Sequence, residues 1–354
     1  MFPAYSTYVM HELKEIISDA EGYTEKIRKA TPQAKKIIQM ELDEKVNEVL
    51  QSGIIIHTAL DPKKQERDEK AINALLSVPD LEASAAVIDN ETREIVGMYA
   101  GKNYKKYDFH RAFQAPRQPG SSFKPIIVYA PLFETTDYTP SSLVNGGRIC
   151  IGNFCPQNYG GAIYGNVSIT DAFKHSMNTP AVRLFSKVGI ERAFQYAQQF
   201  NFQSIVDQDK TYPAALGGLT YGVTTLEMAD AYTSFIDGTY IKAHAIRKVT
   251  DRQGNVLYRW PTERKTIWSD KTVKHMRTLL SEVVKSGTGV GIRANSSYIG
   301  AKTGTTDNYR DFWLAGLSNE YTAAVWIGYD RPRSMQSLEK AKIHFKIFNQ
   351  IISK

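Results

Sequence analysis

The chain has 354 residues, 42% hydrophobic and 23% charged, which is enough apolar material for one large domain plus a smaller attachment. Its formal net charge of +7 is spread along the sequence and suits an anion-rich partner surface such as cell wall or lipid headgroups, or simple solubility. No arginine-rich tract points to nucleic acid, no apolar run is long enough to span a bilayer, and the first residues, Met1 to Tyr5, lack the charged and apolar regions of a signal peptide.

Tyr5 to Ser18 carries Val9, Met10, Leu13, Ile16 and Ile17 at helical spacing. A second helix is predicted from Thr31 as cap and Pro32 as first residue, with a stripe of Ile37, Ile38, Leu42, Val46, Val49 and Leu50 and a stop at Gly53. Ile54 to Leu60 reads as a strand, and Asp61-Pro62 opens a further helix through Leu76. Residues 1–80 are therefore expected to form a linker or attachment module without chemistry, and residues 81–354 the main domain.

Ser84 to Asp89 and Glu94 to Ala100 read as two strands joined by a polar turn. Further on, Gln118-Pro119-Gly120 ends a segment, and Ser121-Ser122-Phe123-Lys124-Pro125 leads into the apolar helical run from Ile126. Helical phase puts Ser121 and Lys124 on one face of a first turn, and Pro125 suits that placement. A serine hydroxyl beside a lysine amine there has the makings of a nucleophile and its base. The spacing alone decides little, since Ser337 and Lys340 repeat it. Cys150 and Cys155 lie in a glycine-rich loop or hairpin, where a local disulfide and two free thiols are both feasible. No further ligands at suitable spacing make them a metal site, the seven histidines are scattered, and no cofactor is implied.

The middle of the chain is mostly helical. Thr170 opens Asp171 to His175, Pro180 opens Ala181 to Lys187, and Ile190 to Phe200 follows. Thr224 and Glu227 form a capping box, and Ser269 caps a helix ended by Gly287. Ile246 to Trp260 reads as a hairpin. Ser297 to Thr303, Asp311 to Leu317 and Tyr321 to Tyr329 read as three late strands. Five strands from the two ends of the domain, with a helical insertion between them, predict an α/β sandwich rather than an alternating parallel fold.

Three short motifs then stand in order: Ser121-x-x-Lys124 at a helix start, Ser176-Met177-Asn178 in a turn between helices, and Lys302-Thr303-Gly304 at a strand end. Each is common alone. In this order and in these elements they are the set found in penicillin-binding proteins and serine β-lactamases, with Met177 where aspartate is frequent. Phe113 to Pro125, Ser176 to Val182, Ala215 to Gly218 and Gly300 to Thr306 resemble the transpeptidase domains of class A, bifunctional penicillin-binding proteins. Leu60-Asp61-Pro62 and Gln65 resemble the segment that joins the two catalytic domains in that family. No glycosyltransferase domain or membrane anchor is seen in the sequence, and a full-length form carrying both is expected.

The resemblance implies a penicillin-binding-protein/serine β-lactamase-like fold: a five-stranded, mainly antiparallel sheet with helices on both faces and a helical subdomain. It implies an extracytoplasmic D,D-transpeptidase acting on peptidoglycan stem peptides, with D-Ala-D-Ala as donor and an amine as acceptor, and acylated by β-lactams. Ser121 would be the nucleophile and Lys124 its base, kept partly neutral by its helix's positive end and by Lys302 if it approaches. Ser176 would relay a proton to the leaving amine, and Asn178 would orient Lys124 and a substrate amide. Lys302 would hold the substrate carboxylate with help from Thr303 or Thr305, and Gly304 would let a peptide lie against the strand edge. The backbone N–H groups of Ser121 and Thr305 would form the oxyanion hole, while Thr306 reads equally well as ordinary strand sequence. A D,D-carboxypeptidase or β-lactamase shares the three motifs. A β-lactamase needs a water-activating acid, and Glu191 and Glu227, both in predicted helices, are poor choices. A non-catalytic β-lactam sensor is the alternative from another class.

Overall fold

The computed structural model describes residues 2–353. A five-stranded antiparallel sheet runs in the order Ile299–Thr305, Asp311–Ser318, Tyr321–Gly328, Glu82–Asp89, Ile95–Tyr99. The early hairpin pairs with the last strand, Ala86 opposite Ala324, so the two ends of the large region close on each other as the strand pattern predicts. Every residue of the two late central strands is buried, because both faces of the sheet are covered. Alternation divides them. Ala85, Val87, Leu314 and Val325 pack with Phe345, Ile347 and Phe348 of the last helix, Ile343–Ile351. Ala86, Ile88, Trp313 and Trp326 share a core with Met228 of helix Thr225–Tyr232 and Leu279 and Leu280 of helix Asp270–Ser286.

The caps read from the sequence form. Thr31 accepts the Ala34 N–H, Thr224 and Glu227 complete a capping box, and Ser269 accepts the Thr272 N–H. Two helix starts differ. Ser168, not Thr170, caps Ile169–Lys174 by accepting the Asp171 N–H. The next helix begins at Asn178 rather than at Pro180, since proline is tolerated anywhere in a first turn.

Helix Pro3–Ala20 buries Tyr5, Tyr8, Leu13, Ile16 and Ile17 in the same core as Met98 and Ala245. Strand Ile55–Thr58 pairs antiparallel with Ile246–Thr250, which also pairs with Val256–Arg259. In helix Pro32–Gln51 the apolar stripe is covered only in its second half: Leu42, Val46 and Val49 are buried, whereas Ile37 is 58% exposed. No helix among the described residues is long and apolar enough to cross a membrane.

Candidate active site

The three motifs meet at one end of the edge strand Ile299–Thr305, around a cavity of about 560 Å³ lined by Ser121, Ser176, Asn178, Thr303, Thr305 and Thr306 among others. Ser121 lies in a 3-10 turn, Gly120–Phe123, followed by a π-turn, Pro125–Tyr129, before regular α-helix starts at Ala130. The predicted plain helix start is thus corrected. Pro125 has no N–H to give, and its ring would crowd the carbonyl four residues back, so the first turn tightens and the next widens. The Lys124 N–H closes the 3-10 turn on the Ser121 carbonyl. Among the described residues no side chain holds the Ser121 hydroxyl, which stays half-buried and faces the cavity.

The nucleophile turn and the edge strand touch backbone to backbone. A Cβ on Gly304 would come 2.3 Å from the Pro119 carbonyl oxygen, so a side chain there would push the Ser121 turn off the strand. This gives Gly304 a role the sequence did not suggest. Its bareness serves contact with the chain's own turn.

The alternation that directs Gly304 to the helical face directs Lys302 there as well, and its side chain is fully buried. Lys302 Nζ donates to Ser176 Oγ at 2.8 Å and to the Thr303 carbonyl at 3.1 Å. Lys124, also fully buried, donates from Nζ to the Ser176 carbonyl at 2.9 Å, the Met177 carbonyl at 3.1 Å and Asn178 Oδ1 at 2.8 Å. Both lysines therefore grip the Ser176-Met177-Asn178 turn, one on each side of Ser176. Burial pushes the Lys124 ammonium well below the usual lysine range, and the charge of Lys302 pushes in the same direction. Burial also brings Lys302 down to about 7. The sequence anticipates the second lysine but not the larger cause, burial, which no local pattern encodes.

Ser176 has a left-handed backbone, φ 55°. The Met177 N–H bonds the Ala172 carbonyl and the Ser176 N–H bonds the Phe173 carbonyl. That pair of bonds is a Schellman helix ending, with serine where glycine is usual. His175 lines the cavity beside it but forms no hydrogen bond with Ser176 among the described residues.

Thr303 and Thr305 point to the opposite side from Lys302, and Thr303 Oγ1 meets Thr288 Oγ1 at 2.7 Å. Thr306 lines the cavity and is also held by a neighbour in the chain. Its hydroxyl donates to Asp311 Oδ2 at 2.8 Å and accepts the Asp311 N–H at 3.0 Å, so it closes the turn before the next strand. Cys150 and Cys155 are joined by a disulfide, which settles the choice left open by sequence. The loop they close leads to Gln157, Asn158 and Tyr159, which approach the site and carry no sequence signal of their own. Tyr159 and Tyr309 meet hydroxyl to hydroxyl at 3.1 Å, and both line the cavity. Glu191 and Glu227 stand outside the cavity lining: Glu191 faces Lys210, and Glu227 accepts the Thr224 and Gln203 N–H groups.

A sequence profile of the penicillin binding protein transpeptidase domain matches residues 83–353. Among curated proteins, penicillin-binding protein 4 of Bacillus subtilis (strain 168) is 43% identical over 348 residues, covering 98% of this chain and 56% of that protein. Penicillin-binding protein 1A of Aquifex aeolicus (strain VF5) is 34% identical over 271 residues, covering 73% of this chain and 36% of that protein. The chain thus spans 36% to 56% of the length of these relatives. Among solved structures, PonA1 from Mycobacterium tuberculosis in complex with penicillin V superposes with a TM-score of 0.75 at 24% identity, covering 86% of each chain. The D,D-transpeptidase domain of a peptidoglycan glycosyltransferase from Eggerthella lenta gives 0.69 at 20% identity, covering 84% of this chain and 82% of that one. At such identities these two likenesses bear on the fold.

Proposed function

The chain belongs to the penicillin-binding protein transpeptidase family, and from that premise we propose that it is a D,D-transpeptidase working through an acyl-Ser121 intermediate. The observation that carries the reading is the pair of buried lysines that both bond Ser176, one at its carbonyl and one at its hydroxyl, beside the cavity that Ser121 lines. Ser121 Oγ attacks the carbonyl carbon of the D-Ala-D-Ala bond. Burial disfavours the charged form of Lys124. Its neutral form keeps two of the three donated bonds, frees a lone pair and takes the hydroxyl proton. Lys302, protonated and buried behind Ser176, supplies positive charge for the terminal carboxylate, which the Thr303 and Thr305 hydroxyls meet from the cavity side of the strand. The N–H groups of Ser121 and Thr305 stabilise the developing oxyanion, at about 3 kcal/mol per donor in comparable sites. As the C–N bond breaks, the proton passes from Lys124 by way of Ser176 Oγ to the departing D-alanine. The amine of a second stem peptide then attacks the acyl-enzyme by the same path reversed. No metal or cofactor enters any step.

β-Lactams, which present a strained amide and a carboxylate, acylate the same serine on this reading. The division into a joining module, residues 1–80, and a transpeptidase domain, residues 81–354, belongs to the same proposal. So does an extracytoplasmic, membrane-anchored full-length protein with a glycosyltransferase domain. The acids weighed for water activation from the sequence, Glu191 and Glu227, stand away from the cavity, while Asp307 and Glu339 line it, so the product assay below separates transfer from hydrolysis.

The test is intact mass after incubation with benzylpenicillin, together with D-alanine release from a stem-peptide analogue in the presence of an acceptor amine. A single long-lived adduct, absent in Ser121→Ala, with D-alanine release and an amide-linked product, is expected. An adduct that survives Ser121→Ala moves the nucleophile elsewhere, and penicillin turnover within seconds makes the chain a β-lactamase. D-alanine release without an amide-linked product makes it a carboxypeptidase, and acylation without D-alanine release makes it a sensor.

A further inference from the structure

Asn178 faces Lys124 with its Oδ1, and something must keep it there. The helix it begins, Asn178–Val188, has Met177 at its cap position, and methionine offers no oxygen to the first N–H groups. Pro180 has no N–H, which leaves those of Asn178 and Thr179 without a local acceptor. Both are taken by Asn158, twenty residues upstream and 5% exposed. Its Oδ1 accepts the Asn178 N–H at 2.8 Å and the Thr179 N–H at 3.0 Å. Two converging backbone donors require an oxygen at that position, which fixes the orientation of the amide. Its Nδ2 then donates to the Ala162 carbonyl at 3.0 Å and to Thr179 Oγ1 at 3.0 Å. The preceding residue completes the hold, because the Gln157 carbonyl accepts from Asn178 Nδ2 at 2.8 Å and so turns Oδ1 towards Lys124. The Cys150–Cys155 disulfide closes the chain just before this pair.

We propose that Asn158 is a positioning residue for the acyl transfer: it caps the helix of the second motif from outside and thereby sets Asn178 against the Lys124 amine. The inference rests on the acyl-Ser121 reading above. Removing the cap frees the Asn178 backbone to rotate, and Lys124 Nζ loses its one side-chain acceptor and, with the turn loosened, the fixed placement of the Ser176 and Met177 carbonyls. Carboxylate binding, which lies with Lys302 on the other side of Ser176, is untouched.

The experiment measures the binding constant KS and the acylation rate constant k2 for benzylpenicillin, by quenched flow with intact mass, in the parent, Asn158→Ala and Asn158→Asp. Aspartate keeps the acceptor oxygen for the two N–H groups and loses the donors to Ala162 and Thr179. The alanine variant is expected to lose between about ten- and a hundredfold in k2 with KS within about twofold, the size of a small misplacement at a reacting centre. The aspartate variant is expected to keep most of k2 while melting at a lower temperature than the parent. A merely structural role would make k2 follow melting temperature across the variants, so a k2 as low in Asn158→Asp as in Asn158→Ala overturns the proposal. So does parental k2 in Asn158→Ala. If the alanine variant does not fold, Asn158→Gln, which carries the same groups one methylene further out, takes its place with the same expectation. A parent that forms no adduct on Ser121 overturns the acyl-Ser121 reading and this one with it; an adduct-forming parent with an unaffected alanine variant overturns this one alone.

Discussion

Ser176 occupies a backbone position that suits glycine. Its left-handed φ of 55° closes a Schellman ending, where an L-side chain costs about 1 kcal/mol relative to glycine. The hydroxyl that accepts from Lys302 is what the strain retains. Ser176→Gly relieves that strain but takes an acceptor from the fully buried Lys302 amine, so we expect its stability in urea titration to stay within about 1 kcal/mol of the parent while the benzylpenicillin acylation rate falls by roughly 10²–10⁴, the usual weight of a proton-transfer group. A stability loss well beyond that would remove the strain argument, and a variant that acylates as fast would remove the relay. The same scale shows what sequence spacing can and cannot carry. Ser121-x-x-Lys124 and Ser337-x-x-Lys340 are equal as patterns, yet Lys124 is fully buried and Lys340 lies on an exposed 3-10 turn. Only the company of the other two motifs separates them in the sequence. The reasons for Gly304 and Thr306 were hidden because each is set by a partner of the folded chain, Pro119 in one case and Asp311 in the other.

The nucleophile turn carries a problem written into its own residues. In a 3-10 turn the Ser122 carbonyl would accept the N–H three residues on, but that residue is Pro125 and has none. The fully buried phenol of Tyr232 supplies the missing donor at 2.6 Å, from helix Thr225–Tyr232 against the sheet. Tyr232→Phe keeps the ring and leaves a buried carbonyl unpaired, which costs about 1–3 kcal/mol. We expect a loss of that size in denaturant unfolding and a fall of about tenfold in acylation rate, because the orphaned turn carries Ser121. An unchanged rate would mean that the contact with Gly304 alone holds the turn. Helix caps such as Thr31, Thr224 and Ser269 were legible because cap and acceptor lie within three residues. Tyr232 and Ser122 are 110 residues apart, and no window on the sequence connects them.

Across the whole molecule, strand patterns at two distant places correctly announce one sheet, since each hairpin needs a partner to bury its second face. The docking of the first helix was not announced, because its apolar spacing says that a face is buried and not against what. The structure packs that face into the main core and adds a polar contact, the fully buried carboxyl of Glu12, which accepts the N–H groups of Ala245 and Ile246. Burial raises this carboxyl to about 8, although the two backbone donors pull it down. The folded protein therefore holds the proton more tightly than the unfolded chain. Its contribution to stability is complete below about 4.5 and is lost as pH rises through about 8. Lys302 acts in the opposite sense above about 7, and Asp230, raised by burial to about 6, adds to the acid side. A difference between two proteins that share both groups cancels them. Glu12→Gln keeps a carbonyl oxygen for the two N–H groups and never ionises, so it should gain on the parent as pH rises. Between pH 6 and 8 the gap should widen by about 2 kcal/mol, read from parallel urea titrations. A gap that stays constant across that range would show that Glu12 titrates alike in the folded and unfolded chains. A gap that grows in a single transition, by tryptophan fluorescence and by far-ultraviolet dichroism alike, would show that the first helix unfolds with the sheet that carries Lys302, because the strain at Glu12 then reaches the whole core.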